Sequence, residues 1–371
     1  MSPLAALIDD DLLELSPPPQ QWLDEIDPRF SYETKLNIWH GLSPSTRTTY
    51  KTGRTSFEYF CQIRNQPAFP AQRLHLIEWI TLRSIGSSEC HQDRIASDTI
   101  ASYLSAVRSV HIDRGLPTTV FDDETLKRVL AGVKRRQPHR ELIQAKPITF
   151  DILELAFSAN INLSTMTENQ KIDEINTVAA ATVAFGGFLR SGEFTYEAKD
   201  LRNKRSFRNT SLLRSDITFS DLDEHVTVSL KRSKTDYDHV GVDIIIAATA
   251  TPTCPVRALR RLFEEDPQPM DSPLFRLSTG PLSYQKFVAV TRQRLQDSGV
   301  ADYQEYSGHS FRRGAATQAK ANGMLNEDIQ RLGRWSSEAF RRYIDTDAAY
   351  RFRLSRHFLT GRSPAFSSMH I

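Results

Sequence analysis

His309 and Arg312 stand three residues apart in Gly308-His309-Ser310-Phe311-Arg312, and Tyr343 follows downstream of Gly333-Arg334-Trp335. Residues at i and i+3 of a helix share a face, so an imidazole and a guanidinium placed there can grip one anion while a downstream phenol supplies a nucleophile. That combination can attack a phosphodiester without a metal. Two more cationic groups lie upstream. Arg190 stands in Phe185-Gly186-Gly187-Phe188-Leu189-Arg190-Ser191-Gly192-Glu193, and Lys234 in Leu230-Lys231-Arg232-Ser233-Lys234-Thr235-Asp236.

Elements that hold these groups are visible in the apolar pattern. Ile175, Val178, Thr182, Phe185 and Leu189 recur at helical spacing, and the buried face they define ends at Arg190. Val226, Val228 and Leu230 alternate on one side of Lys234, and Val240, Val242, Ile244 and Ile246 on the other. A period of two on both flanks predicts a hairpin with Lys234 near its tip. Helices are expected over 152–157, 169–189, 255–263, 284–296, 309–321, 326–332 and 337–344, and strands over 217–219, 226–230 and 240–246. Gly308 and Gly314-Ala315-Ala316 imply close packing around Arg312. Toward the N-terminus, Ser43-Pro44 reads as an N-cap with proline at the first helical position, opening a helix through Tyr50, Phe57 and Phe60. A second helix carries Ile100, Leu104, Val107 and His111 on one face, and a third carries Leu126, Val129, Leu130 and Val133 before Lys134-Arg135-Arg136. These helices form an all-α domain, and the proline-flanked stretch 137–147 is the linker candidate.

In this order, Arg, hairpin Lys, His-x-x-Arg, Trp and Tyr, the set resembles the tyrosine recombinase (phage integrase) family. The resemblance is closest to the eukaryotic versions carried by Crypton-like mobile elements of fungi, whose ends read much like Gly333-Arg334-Trp335-Ser336-Ser337-Glu338-Ala339-Phe340-Arg341-Arg342-Tyr343-Ile344. Leu42-Ser43-Pro44-Ser45-Thr46-Arg47-Thr48-Thr49-Tyr50 and Tyr103-Leu104-Ser105-Ala106-Val107-Arg108 look like the family's core-binding domain. The likeness covers residues 41–360. It implies a mainly α fold with a small antiparallel β-sheet: a helical, SAM-like core-binding domain (41–140) followed by a tyrosine recombinase catalytic domain (148–360). The implied activity is cleavage and rejoining of DNA strands through a covalent 3′-phosphotyrosine. Double-stranded DNA is the implied partner, a tetrameric synapse on two duplexes the implied assembly, and no cofactor or metal is required.

Under that resemblance each residue has a role. Tyr343 attacks phosphorus and leaves a free 5′-hydroxyl. Arg190 and Arg312 hold the non-bridging oxygens, because guanidinium forks bind phosphate bidentately. Lys234 protonates the leaving 5′-oxygen, with Lys231 and Arg232 as neighbours that compete for that role. His309 either helps deprotonate the tyrosine or holds a phosphate oxygen. Trp335 stands where many relatives carry a second His, and its indole N–H can donate to a phosphate oxygen. Glu193 holds the Arg190 guanidinium from behind, Arg313 is expected on the surface, and Tyr350 is a weaker competing nucleophile. Trp335 and Tyr343 are eight apart, one fewer than in many bacterial and phage relatives although usual for the eukaryotic branch, so the tyrosine's register stays open. Two alternatives remain: a type IB topoisomerase, which tends to carry Lys where His309 stands, and a domesticated DNA-binding protein that has lost its chemistry.

Composition bounds the rest. A chain of 371 residues suggests two domains, and 39% apolar with 25% charged residues is ordinary for a soluble globular protein. No apolar run approaches the roughly 18 residues of a membrane span, and the start, followed by Asp9-Asp10-Asp11, is no signal peptide. Cys61, Cys90 and Cys254 are too few and too scattered for a disulfide framework or a zinc ribbon. The expected location is the nucleus if the protein is eukaryotic, otherwise the cytoplasm. The net charge of +2 conceals a division: residues 1–40 carry two basic and eight acidic side chains, and residues 41–140 fifteen and nine. An acidic tail (1–40), expected to be disordered apart from one short helix, therefore precedes a basic domain suited to a polyanion. Arg47, Arg108, Arg114, Lys134, Arg135 and Arg136 are its expected DNA contacts. Removing the tail is expected to preserve or strengthen binding. Residues 361–371 form a second tail, and 349–358 a short helix that docks on a neighbouring protomer or folds back on its own domain.

Overall fold

A computed structural model describes residues 17–86, 92–137, 144–158, 163–197, 204–231 and 240–343, together with 201, 352, 355, 356 and 359. The chain divides into two compact units, Met1–Leu142 and Ile143–Ile371. The fold is mainly helical, with small antiparallel sheets in the second unit.

The first unit holds α1 (Gln20–Glu25), α2 (Tyr32–His40), α3 (Pro44–Gln62), α4 (Arg73–Ile85), α5 (Ser97–Asp113) and α6 (Glu124–Arg136). Helix α3 starts where its sequence dictates, with the Ser43 hydroxyl accepting from the Thr46 N–H and Pro44 in the first turn. Phe57, Phe60, Leu76, Trp79, Ile80, Ile100, Val107 and Leu126 meet in one core. His111 is buried with them and ties α5 to the Ala71 N–H, which donates to Nε2 at 2.9 Å. Its position on the apolar face therefore serves the fold.

The expectation of a disordered tail with one short helix over 1–40 fails for its second half, which forms two helices, α1 and α2; residues 1–16 lie outside the described residues. Trp22 donates its indole N–H to Asp113 at 2.9 Å, and the Glu25 carboxylate accepts from both Arg54 and Arg114 at 2.8 Å. Part of the acidic charge thus neutralises basic residues of the same unit. Arg47 donates to the Trp39 and Ile38 carbonyls, capping the end of α2, and its guanidinium lies 3.6 Å from the Trp39 ring centroid. Arg114 also lies over the Phe69 ring at 4.9 Å. The structure therefore commits Arg47 and Arg114, expected at DNA, to intramolecular partners. Deleting residues 1–40 removes Glu25, Ile38 and Trp39 and with them two helices packed into the unit, so the expected gain in binding no longer follows.

This clasp has a pH signature. The Arg54 hydrogen bond, with Arg114 adding to it against partial burial, holds Glu25 down at about 2. A carboxylate depressed in the folded state contributes stability that is complete above the ordinary carboxylate range and is lost as pH falls through that range toward about 2. Glu25→Gln is expected to lower stability by about 1–3 kcal/mol at neutral pH and to flatten the acid limb between about pH 5 and 2. Thermal unfolding of the full chain across that range checks it; an unchanged midpoint at pH 7 would remove the clasp.

The second unit opens with α7 (Phe150–Phe157) and α8 (Glu168–Gly186). Thr167 and Gln170 form a reciprocal capping box at the start of α8, and Ile175 through Ala184 are buried without a break. A helix buried all round is central, and its alanines 179, 180, 181 and 184 let neighbours approach closely. Then come α9 (Ser191–Phe194), α10 (Lys204–Thr210), β1 (Ile217–Phe219), β2 (His225–Leu230), β3 (Val242–Ala247), α11 (Pro255–Glu265), β4 (Arg276–Leu277), β5 (Gly280–Pro281), α12 (Tyr284–Asp297), α13 (His309–Ala321) and α14 (Asn326–Leu332). The sheet runs β1-β2-β3, antiparallel, with Val226 opposite Ile246 and Leu230 opposite Val242. Val226, Val228, Leu230, Ile244 and Ile246 face the core, the alternation read from the sequence. Lys234 falls in the β2–β3 connection, where 232–239 lie outside the described residues. After α14 the expected helix over 337–344 is a 3₁₀ turn, Glu338–Arg342, anchored by the fully buried Phe340. Of the segment 349–358, positions 352, 355 and 356 are described; all three are helical and exposed.

Candidate active site

The apolar face of α8 does not run through to Arg190 as helix. The helix stops at Gly186, Phe188 turns into the left-handed region at φ 50°, and the Leu189 N–H returns to the Ala184 carbonyl at 2.9 Å. Arg190 then starts α9, and three residues later Glu193 reaches back to it. One carboxylate oxygen accepts the Arg190 backbone N–H at 2.8 Å and the other accepts Nη1 at 2.9 Å. Glu193 therefore grips Arg190 by both backbone and side chain.

Arg312 enters from α13 and is fully buried. Its helix lies close because residue 314 is glycine: a Cβ there would sit 1.8 Å from the Ile148 carbonyl oxygen. The Arg312 fork donates to the carbonyls of Phe188 and Gly333, and its guanidinium lies 4.1 Å from the Trp335 ring centroid and 5.9 Å from that of Tyr343. Trp335 is the floor of this arrangement. Its ring packs on Phe188, Phe340 and Tyr343 at 6.3, 6.1 and 5.3 Å. These rings, with Ala315, Ala316, Ala319 and Ile329, form a small core of their own that fixes the tyrosine's turn to α13. The Thr317 hydroxyl adds a hydrogen bond to the Tyr343 carbonyl at 3.1 Å.

A third guanidinium joins the pair, one the sequence reading missed. Arg334 donates to Glu193 at 2.7 Å and to the Gly187 carbonyl at 2.9 Å, with its side chain 12% exposed. No local pattern marks it, because its carboxylate partner lies 141 residues away in the chain. Arg334 also holds φ 54°, a conformation that costs a side-chain-bearing residue about 1 kcal/mol relative to glycine.

Three guanidinia around one carboxylate leave the cluster two charges positive. Burial, then the neighbouring charge of Arg190, pulls Arg312 down to about 9, and burial likewise lowers Arg334. The Nε atoms of both are buried with no acceptor among the described residues. Such a cluster favours an incoming anion, because a bound oxyanion offsets both the desolvation and the repulsion.

His309 does not share Arg312's burial. It is exposed at the start of α13 and, with Tyr343, lines a cleft of about 470 Å³ whose walls include Gln144, Arg292 and Arg313. Arg313, expected on the surface, hydrogen-bonds Gln144 and faces the tyrosine's cleft. Lys231 is engaged by Asp216 and by the Arg208 carbonyl, at 2.9 and 2.8 Å. Of the cations competing for the role given to Lys234, Lys231 therefore belongs to the fold, while Arg232 and Lys234 lie outside the described residues. In the first unit Arg108 is 46% exposed, 3.9 Å from Asp122, and Lys134, Arg135 and Arg136 are exposed on the last turn of α6. Among the described residues no group of three His, Cys, Asp or Glu is placed to hold a metal, and no helix is long and apolar enough to cross a membrane.

No protein-family model matches the chain. An integrase/recombinase XerD homologue of Selenomonas ruminantium is 22% identical over 331 residues, covering 86% of this chain and 87% of the relative. Among solved structures, the XerH site-specific recombinase bound to a palindromic difH substrate aligns with TM-score 0.55 at 14% identity, over 92% of this chain and 93% of the other. A lambda integrase (75–356) dimer bound to a COC′ core site aligns with TM-score 0.49 at 14% identity, over 95% and 99%. The XerH alignment makes the fold that of a tyrosine recombinase. With a sequence relative matching along most of both chains, the chain is similar to tyrosine recombinases and integrases in fold and in sequence.

Proposed function

We propose that the chain is a site-specific DNA recombinase that breaks and rejoins strands through a covalent 3′-phosphotyrosine. It is encoded by a mobile element of the Crypton-like kind carried by fungi, and it works in the nucleus. The observation that carries this reading is the pair of guanidinia Arg190 and Arg312, the first braced by Glu193 and the second fully buried, with the Tyr343 ring beside Arg312. A phenol beside an excess of fixed positive charge suits attack on phosphorus, because charge grows on the non-bridging oxygens in the transition state.

The tyrosine oxygen bonds to phosphorus as the bond to the 5′-oxygen breaks. His309, at the cleft that Tyr343 lines, takes the phenolic proton or holds an oxygen, and Lys234 gives the leaving oxygen its proton. Attack by a 5′-hydroxyl on the phosphotyrosine reverses the step and rejoins the strand. Double-stranded DNA is the partner, and four protomers on two duplexes are the working assembly. Among the residues expected at DNA in the first unit, Arg108, Lys134, Arg135 and Arg136 take the phosphates.

The test is a nicked suicide duplex carrying the element's ends, incubated with the full chain in EDTA. A protein–DNA adduct that survives denaturant is expected, and cleavage that needs magnesium would count against the reading. Binding without adduct would make the chain a DNA-binding protein that has lost its chemistry. Relaxation of supercoils without strand exchange would make it a topoisomerase.

A further inference from the structure

We propose that Arg334 is a positioning residue for strand cleavage: through Glu193 it locks the turn carrying Arg190 onto the turn that leads to Tyr343. The inference rests on the recombinase reading and deepens it.

The backbone gives the first reason. Helix α14 closes with the Gly333 N–H donating to Ile329 at 2.9 Å and the Trp335 N–H to Gln330 at 3.0 Å, and between them Arg334 takes φ 54°. Helix ends of this form usually place glycine in the left-handed position. Here the glycine stands one residue earlier, at φ −80°, where a Cβ would fall 1.6 Å from the Trp335 ring. The left-handed position therefore keeps a strained arginine, which its side chain must justify.

The side chain does so entirely on one partner segment. Nη1 donates to Gly187, while Nη2 donates to Glu193 and, at 3.5 Å, to the Phe188 carbonyl. All three acceptors belong to the stretch between α8 and the end of α9 that carries Arg190. Glu193 in turn holds Arg190 by backbone and side chain. One carboxylate thus joins the two guanidinia, and Arg190 keeps its orientation when the turn before Tyr343 is docked. Arg334 acts on the phosphate only through this placement.

Arg334→Gly removes the guanidinium and also relieves the left-handed strain, which makes it the natural probe. The full-length variant is expected to fold and bind DNA, while adduct formation on the suicide duplex slows by about 10–10²-fold. Combined with Arg190→Ala it should be no slower than Arg190→Ala alone, because a residue acting only through Arg190 has nothing further to lose. A wild-type adduct rate, or losses that multiply in the double variant, overturns the proposal. Should Arg334→Gly unfold, Arg334→Lys carries the test. It keeps a cation for Glu193 but loses the fork onto Gly187 and Phe188, so a slower adduct at an unchanged melting midpoint supports the clamp and a wild-type rate overturns it. If wild type itself forms no adduct, the recombinase reading fails first; an adduct in wild type with an unaffected variant counts against Arg334 alone.

Discussion

Tyr343→Phe is expected to abolish the covalent adduct while leaving DNA affinity within about twofold of wild type, since only an interaction made during the chemical step is removed. The structure explains why so small a change should leave the fold alone. What holds Tyr343 is its ring, 5.3 Å from that of Trp335, and its carbonyl, which accepts from Thr317. Phenylalanine keeps both. The lost hydroxyl is the nucleophile itself, and no neighbouring group can replace an oxygen that must become bonded to phosphorus. The measurement is adduct yield on the suicide duplex beside a binding titration at the same salt concentration. An adduct that persists moves the nucleophile elsewhere, with Tyr350 the first residue to test.

The second large effect is expected at Arg312, where fold and chemistry are lost together. Arg312→Ala leaves the Gly333 carbonyl without its donor and the Phe188 carbonyl with only the long contact from Arg334, empties space beside Trp335 and removes the stacked cation. Against this, it also removes a buried charge repelled by Arg190 and Arg334. One orphaned acceptor, one weakened one and a cavity outweigh that relief, so a net destabilisation of about 2–4 kcal/mol is expected. Arg312→Lys separates the two roles. It keeps the charge but cannot fork onto two carbonyls, so it should fold with a modestly lowered midpoint and still cleave about 10²–10³-fold more slowly. Single-turnover cleavage and thermal unfolding of both variants give the answer. If Arg312→Lys cleaves at the wild-type rate, the geometry of the fork is irrelevant and the oxyanion role assigned here is wrong.

The residues of this site were legible in the sequence to different depths, and the difference follows the range of the interactions. Arg190 and Arg312 could be named because each is attached to a strong local pattern: the apolar run of α8, and the small residues of α13. The strands flanking Lys234 were readable for the same reason, since side-chain alternation is a property of neighbours in the chain. Tyr343 was chosen among eleven tyrosines by resemblance and by its distance from Trp335. The structure brings Tyr343 beside Arg312 through a 3₁₀ turn and not the helix expected there. Turns of that length carry no period from which to read them.

What escaped the sequence are the contacts between distant charges. Glu25 meets Arg54 and Arg114 across 29 and 89 residues, and Arg334 meets Glu193 across 141. Composition alone made residues 1–40 an acidic tail and made Arg47 and Arg114 phosphate contacts, because a charge is recorded in a sequence but its partner is not. Likewise nothing in Gly333-Arg334-Trp335 announces which residue takes the left-handed turn. The sequence by itself determined the helices, the hairpin and the kinds of side chain available for phosphate chemistry, since propensity and periodicity act over a few residues. Only tertiary structure decided which arginines are free for an anion and which are held by the fold, because that depends on which carboxylates and carbonyls the packing of α2, α9 and α13 brings within hydrogen-bond reach.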